Sequence, residues 1–179
     1  ADTRDRPLLL ICTHAKRDRC CAVKGRPMVN ELHARHPFGP GNDMVWETSH
    51  IKGHRFAPTM LLMPWAYSFG RMNVEATDAM LTDASEGLYF VPGNRGRGTL
   101  GPAEQVAELA VAAEVPGARY GQFEVAASDD GSALVTDTAS GQVHEVQLEQ
   151  RPVSGVVDSC GKAPKESTAW VAASVTPRG

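Results

Sequence analysis

The sequence predicts an α/β fold in its first half, followed by a helix and an antiparallel β-meander. Strand and helix patterns follow one another in the order β-α-β-β-β-α up to residue 85. The segment 91–102 is rich in glycine and turn residues, and apolar and polar residues alternate after residue 118. We therefore expect a first domain over residues 1–92 and a helix-plus-meander region over residues 93–179 that packs on it.

The elements of the first region follow from apolar runs, periodicity and turn residues. Residues 7–12 form an apolar run that predicts a buried strand, and a polar loop through Cys21 is expected after it. The segment 26–35 has helical periodicity, with Pro27 in its first turn. The other expected elements are a strand at 44–49, two strands at 57–64 and 66–72 that can form a hairpin, and a helix at 73–85. This order favours a thioredoxin-like sandwich but also admits other α/β layouts.

The second region is predicted from one amphipathic helix and several alternating segments. The helix at 101–115 has Pro102 and Glu104 near its start and an apolar face along its length. The expected strands, which are separated by the turn sequences SDDG and ASGQ, are 120–127, 132–138 and 142–150. These segments predict an antiparallel meander packed against the helix.

The charge and the apolar content of the sequence argue against two classes of function, nucleic-acid binding and membrane insertion. The 179 residues carry a net charge of −3, divided into +4 over residues 1–75 and −7 over residues 76–179. A nucleic-acid binder needs a stronger basic patch than this, so that class is set aside. No apolar run approaches the ~18 residues of a membrane helix, and no secretion signal begins the chain. We expect a cytoplasmic protein without membrane insertion, and the absence of an initial Met is expected of a trimmed or partial chain.

The cysteines and histidines form two spaced pairs. The four cysteines are too few and too clustered for a disulfide framework, so a reducing compartment is expected. Eight residues separate Cys12 from Cys21, and three separate His50 from His54. Each pair adjoins a predicted strand, and both loops can lie at one end of the sheet. Two thiolates and two imidazoles together suit zinc or a [2Fe–2S] cluster with mixed ligation.

The residues alone leave three kinds of protein open. The wide Cys12–Cys21 spacing and the basic residues around it favour a [2Fe–2S] cluster over a zinc knuckle by a modest margin, because zinc knuckles use closer cysteines. A zinc-stabilised structural module therefore stays open. A thiol-redox enzyme that uses Cys20 or Cys21 is a further alternative, although the sequence has no C-x-x-C motif.

The stretches CTHAKRDRCCAVKGRP and VWETSHIKGHRFAPTMLLMP resemble the sucrase/ferredoxin-like family, whose pattern is C-x8-C followed by H-x-G/C-G-H. Cys12 and Cys21 match its first part, and His50, Gly53 and His54 match its second part. Lys52 departs from the pattern, which usually has Gly or Cys at that position. Later stretches, NRGRGTLGPAEQVAELA and DSCGKAP, also resemble family members, so the resemblance spans most of the chain.

The resemblance implies a thioredoxin-like ferredoxin with a bis-histidinyl [2Fe–2S] cluster. It implies an electron carrier rather than an enzyme, working with an unidentified redox partner protein. By analogy with the family, Cys12 and Cys21 hold the inner iron, and His50 and His54 hold the outer one. Two thiolates and two neutral imidazoles leave an oxidised cluster uncharged. We therefore expect a potential well above the roughly −400 mV of plant-type ferredoxins, and dependent on pH.

Further residues are expected around this set. The candidates for contacts with the cluster or its ligands are His14, Cys20, Gly53 and Arg55. Cys160 is expected to be structural, and Arg95 and Arg97 are expected in a solvated turn.

Overall fold

The computed structural model describes residues 6–16, 19–41, 43–128, 130–159 and 161–179. Within them, strands form a five-stranded sheet in the order β2-β1-β3-β4-β5 and a four-stranded sheet in the order β6-β7-β8-β9. The elements are β1 (Leu8–Cys12), α1 (Arg19–Arg35), β2 (Val45–Thr48), a 3₁₀ helix (His54–Phe56), β3 (Thr59–Met63), β4 (Tyr67–Gly70), α2 (Val74–Ser85), β5 (Asn94–Arg97), α3 (Pro102–Glu114), β6 (Phe123–Ala127), β7 (Ser132–Asp137), β8 (Val143–Val156) and β9 (Lys165–Arg178). The α/β class predicted from the sequence is confirmed.

The first sheet is built around β1. This strand is parallel to β2 and antiparallel to β3, and β3 and β4 form the expected antiparallel hairpin. Leu9, Ile11 and Leu62 are fully buried in its core, as expected for apolar runs in the middle of a sheet. The helix at 73–85 is also confirmed, and the Asn73 side chain caps it by accepting a hydrogen bond from the Ala76 N–H at 2.8 Å.

Helix α1 begins earlier than the sequence predicts. The expectation of a polar loop through Cys21 and a helix from residue 26 is wrong, because the helix already begins at Arg19. The stretch before residue 26 has small and charged residues around its two cysteines, and Val23 is exposed, so its sequence shows no clear apolar helix face. Its position is fixed by packing at Gly25, where an added Cβ would lie 2.4 Å from the Cys12 carbonyl oxygen. The missing side chain lets α1 approach the end of β1 closely, and Pro27 lies inside the helix rather than at its start.

A strand interrupts the segment that was expected to be a turn. Residues 94–97 form β5, which pairs with β4 and extends the first sheet beyond residue 92. The expected turn at Arg95 and Arg97 is therefore wrong, because both residues lie in a strand, although Arg95 is exposed as expected. The sequence NRGR has no apolar alternation to predict a strand. Gly96 adopts a φ of +99°, and its N–H donates to the Asn94 side chain at 2.9 Å.

The second region contains the predicted helix and meander, with a longer final hairpin. Helix α3 contacts β5 and the strands of the second sheet. Strand β8 continues to Val156, beyond its expected end, and β9 was not predicted. Much of β9 and the outer half of β8 are solvent-exposed, so neither has the apolar alternation of a half-buried strand.

A buried ionic group joins the first sheet to α3. The Glu108 side chain is 0% exposed, accepts a hydrogen bond from the Tyr67 hydroxyl at 2.9 Å and lies 2.9 Å from Arg97 Nη2. Burial raises the pKa of Glu108, against the opposing charge of Arg97 and the Tyr67 hydrogen bond. Because one of these partners is on β4 and the other on β5, the contacts hold α3 against that edge of the sheet.

None of the helices in the described part of the chain has the length and apolarity that crossing a membrane requires.

Candidate metal centre

The two cysteines of the predicted site lie together in the interior. Cys12 is the last residue of β1 and is 0% exposed, and Cys21 lies in the first turn of α1 and is 1% exposed. Both are thiols that take no part in a disulfide, and they form one buried cluster with Ala57, against which Ile51 also packs. Ala57 and Ile51 belong to the segment that carries the two histidines, so this cluster links both halves of the motif.

The local backbone favours negative charge near Cys21. The first turn of a helix presents unpaired N–H groups and the positive end of the helix dipole. A thiolate in this turn is therefore stabilised relative to one in the middle of a helix. The position follows from the early start of α1, which the sequence did not predict.

The two histidines are brought together by a sharp turn. His50 follows β2, and His54 begins the 3₁₀ helix. Between them, Lys52 and Gly53 have φ values of +65° and +66°, two successive left-handed residues that reverse the chain. The His50 and His54 rings consequently lie with their centroids 5.4 Å apart and their planes at 35°.

The two ring nitrogens of His54 have different environments. Its Nε2 lies 2.7 Å from the Ser159 hydroxyl oxygen, at hydrogen-bond distance. Its Nδ1 is buried and has no hydrogen-bond partner among the described residues. A buried polar atom without a partner is costly, so such an atom calls for an explanation. A metal bound at Nδ1 provides one, and the Ser159 contact then has the form of the hydrogen bond that metal-binding histidines make through their other ring nitrogen.

The donors form two pairs rather than one compact group. Among the described residues, no three His, Cys, Asp or Glu side chains are grouped so that they could hold one metal ion. Cys12 and Cys21 share one buried cluster, and the rings of His50 and His54 lie beside each other in the loop after β2.

The neighbouring residues expected from the sequence are placed as follows. His14 is partly buried in the loop after β1, and Cys20 packs against the Cys12–Cys21 cluster. Although no disulfide framework was expected, Cys20 is disulfide-bonded. Arg55 Nη1 lies 3.7 Å from Asp158 Oδ1 and its guanidinium lies over the Phe56 ring. Cys160, expected to be structural, lies outside the described residues.

Two features beside the histidines were not predicted from the sequence. Asp158 and Ser159, in the connection between β8 and β9, reach Arg55 and His54 from about 100 positions away in the chain. The second feature is a group of three arginines around the Phe56 ring, namely Arg55, Arg71 and Arg95. The spacing of residues along the chain gives no signal for either feature, because the fold brings distant segments together.

The protein is thus of the α/β class, with a candidate metal centre made up of Cys12, Cys21, His50 and His54. The chain belongs to the sucrase/ferredoxin-like family, whose sequence profile matches residues 1–96. This confirms the resemblance that the cysteine and histidine motifs carry, whereas the expected resemblance of later stretches lies almost wholly outside the matched residues. Among curated proteins, none matches the chain significantly.

Two solved structures are similar to part of the chain. One is a thioredoxin-like [2Fe–2S] ferredoxin from Aquifex aeolicus, at 12% identity and a TM-score of 0.46, covering 53% of this chain and 94% of that one. The other is a 1.5 Å structure of the wild-type protein from the same organism, at 14% identity and a TM-score of 0.39, covering 47% of this chain and 89% of that one.

Proposed function

We propose that this protein is a one-electron carrier whose [2Fe–2S] cluster is held by Cys12, Cys21, His50 and His54. The observation that carries the proposal is the buried Nδ1 of His54, which has no hydrogen-bond partner in the described part of the chain and lies beside the ring of His50. It occurs in a chain of the sucrase/ferredoxin-like family, at the position that matches the family's second histidine.

The donor chemistry fits such a cluster. Two thiols and two imidazoles are ligands that iron–sulfur centres accept, as the mixed ligation of Rieske centres illustrates. The cysteines come from β1 and α1, and the histidines come from one loop after β2. Each pair is thus supplied by its own part of the fold, which agrees with one pair for each iron.

The protein would expose one side of the site and seal the other. Cys12 and Cys21 are buried, whereas His50 and His54 are partly exposed. An electron exchanged with a partner protein would therefore enter or leave on the histidine side, where the path to the surface is shortest. Ser159 would orient the His54 ring by accepting a hydrogen bond from Nε2–H while Nδ1 faces the iron.

The cluster, when bound, supplies a reversible one-electron couple, and the protein sets its energy through ligand charge. Replacing two thiolates by neutral imidazoles makes the site less negative, so the added electron is better accommodated. The expected potential is well above the roughly −400 mV of all-cysteine plant-type ferredoxins. Non-enzymatic function, a redox partner protein and a cytoplasmic location remain parts of this proposal.

The test is electron paramagnetic resonance of the dithionite-reduced protein, purified anaerobically. We expect a red-brown protein with a signal of lower average g than all-thiolate clusters give. The His50→Cys and His54→Cys variants should shift that signal toward all-thiolate values. The His36→Cys variant is the matched control, because His36 bonds to Asp78 on α2 instead. A colourless protein after iron and sulfide reconstitution, or an unchanged signal in both ligand variants, would refute the assignment.

A further inference from the structure

A basic pocket lies between the histidine loop and the β8–β9 hairpin. It has a volume of about 590 Å³, within the range of small-molecule sites. The loop and its neighbours supply Lys24, Arg55, Arg71 and Arg95 to its wall, and the hairpin supplies hydroxyl groups, including those of Ser167 and Thr168. None of the described residues that line it is a carboxylate. The pocket is therefore surrounded by positive charge and hydrogen-bond donors.

Three of these cations are gathered on a single aromatic ring. The guanidinium carbons of Arg95, Arg55 and Arg71 lie 3.8, 4.7 and 5.3 Å from the centroid of Phe56. Each gains from the ring's electron-rich face, but the three positive charges repel one another. Partial burial, followed by the charges of Arg55 and Arg71, lowers the pKa of Arg95. A group of like charges held this close is stabilised when an anion binds among them.

The carboxylates near these three arginines do not balance all of their positive charge. Asp158 faces Arg55 at 3.7 Å, but it also pairs with Lys165 at 2.6 Å. In the ranges that the structure describes, no carboxylate lies within ion-pair distance of Arg71 or Arg95. At least two guanidinium groups beside the pocket thus have their charge available to a ligand.

The backbone of Arg71 is conformationally strained. Arg71 has a φ of +59°, a left-handed conformation that L-residues rarely adopt, and its N–H donates to the Phe56 carbonyl at 2.8 Å. The preceding Gly70 packs so closely that an added Cβ would lie 2.6 Å from Phe56 Cβ. A charged side chain kept in a strained backbone position is a pattern found at ligand sites.

We propose that this pocket binds a small anion with two or more negative charges, either a phosphate-bearing compound or a di- or tricarboxylate. Arginine recognises both groups through paired N–H donors. The concave shape favours a small molecule over the flat acidic surface of a protein. His54 also lines the pocket, but the arginines that would hold the anion are not among the proposed iron ligands.

Isothermal titration calorimetry of the whole chain tests the proposal. Inorganic phosphate and citrate are the probes, acetate is the monovalent comparison, and the ionic strength is held constant with chloride. We expect one phosphate or citrate per chain and at least tenfold weaker binding of acetate. Phosphate binding alone would identify a phosphate site, and citrate binding alone a carboxylate site.

Two variants and a control link the binding to the arginines. Arg95→Gln and Arg71→Asn, in which Asn tolerates the left-handed backbone, should each weaken binding about tenfold or more, because each removes charged hydrogen bonds to the anion. Arg178→Gln is the matched control, since Arg178 pairs with Glu145 at the opposite end of the same hairpin. The proposal is overturned if neither phosphate nor citrate binds, if acetate binds as tightly as they do, or if all three variants behave alike.

Discussion

His54 and Ser159 are 105 positions apart in the chain, yet their side chains lie 2.7 Å from each other. The contact places the connection between β8 and β9 against the loop that carries both histidines. It makes the C-terminal hairpin part of the candidate metal centre, although the family match ends at residue 96.

Removal of the Ser159 hydroxyl should loosen the site. If the proposed cluster is bound through His54, Ser159→Ala leaves the ring without its orienting partner. Loss of such a partner typically weakens metal binding about 10- to 100-fold, so iron transfer to a chelator should become about tenfold faster. The loss of visible absorbance measures the rate. Ser154→Ala is the control, because that hydroxyl bonds to Glu166 on the same hairpin, and equal rates in the two variants would contradict the role of Ser159.

The close contact between α1 and β1 predicts a steric effect at Gly25. An alanine there would place Cβ 2.4 Å from the Cys12 carbonyl oxygen, a backbone atom that cannot move aside easily. The clash should exceed the roughly 1 kcal/mol that alanine gains over glycine in a helix. We expect Gly25→Ala to lower the free energy of unfolding by about 1–3 kcal/mol, in the range of overpacked cores.

Urea unfolding of the cluster-free chain measures this effect, and Gly39→Ala provides the comparison. An added Cβ at Gly39 meets no atom within 4 Å, so that variant should unfold within about 0.5 kcal/mol of the parent. A Gly25→Ala protein as stable as Gly39→Ala would mean that the helix can shift away from Cys12.

The strained backbone of Lys52, in the turn between the histidines, predicts that glycine at this position would stabilise the protein. Lys52 is exposed and has a φ of +65°, a conformation that costs an L-residue roughly 1–2 kcal/mol. Glycine removes this strain but adds roughly 0.5–1 kcal/mol of unfolded-state entropy. Lys52→Gly should therefore stabilise the protein by about 0.5–1 kcal/mol in urea unfolding. Lys24→Gly, within α1, should instead destabilise it by about 1 kcal/mol, and equal changes in both variants would exclude backbone strain at Lys52.

Local sequence patterns predicted the helices and strands correctly where a segment's own residues determine its structure. The apolar runs predicted β1 and β3, and the capping residue Asn73 agrees with the predicted start of α2. Patterns failed where tertiary contacts decide. The first turns of α1 depend on the close approach of Gly25 to β1, which is a tertiary contact. Strand β9 is largely exposed, so its sequence lacks the apolar alternation of a half-buried strand.

The same distinction applies to the candidate site. The spacing of Cys12, Cys21, His50 and His54 identified two donor pairs, because each pair is close in sequence. The hydroxyl of Ser159 and the side chains of Arg71 and Arg95 come from other elements of the fold. Their convergence depends on how the hairpin and β5 pack, which a local pattern does not encode.

Removal of the buried carboxylate of Glu108 should be strongly destabilising. Glu108→Ala leaves the Tyr67 hydroxyl and the Arg97 guanidinium without their partner in the interior. Breaking a buried pair in this way typically costs about 3–5 kcal/mol. Urea unfolding at pH 7 measures the loss, and Glu114→Ala, at the exposed end of α3, should change stability by less than about 0.5 kcal/mol. A small effect of Glu108→Ala would mean that water enters and replaces the lost contacts.

The raised pKa of Glu108 also predicts a pH dependence of stability. Burial disfavours the charged carboxylate, so the folded protein holds the proton to a higher pH than the unfolded chain does. Below the unfolded pKa, about 4.3 for Glu, this contribution is fully present, and it is lost as the pH rises through the folded pKa. Relative to Glu108→Gln, which cannot ionise, the parent should therefore be more stable at about pH 4 than at pH 7. Urea unfolding of both proteins at the two pH values measures the difference; a difference that grows in the parent's favour toward pH 7 would mean that Arg97 outweighs burial and lowers the pKa.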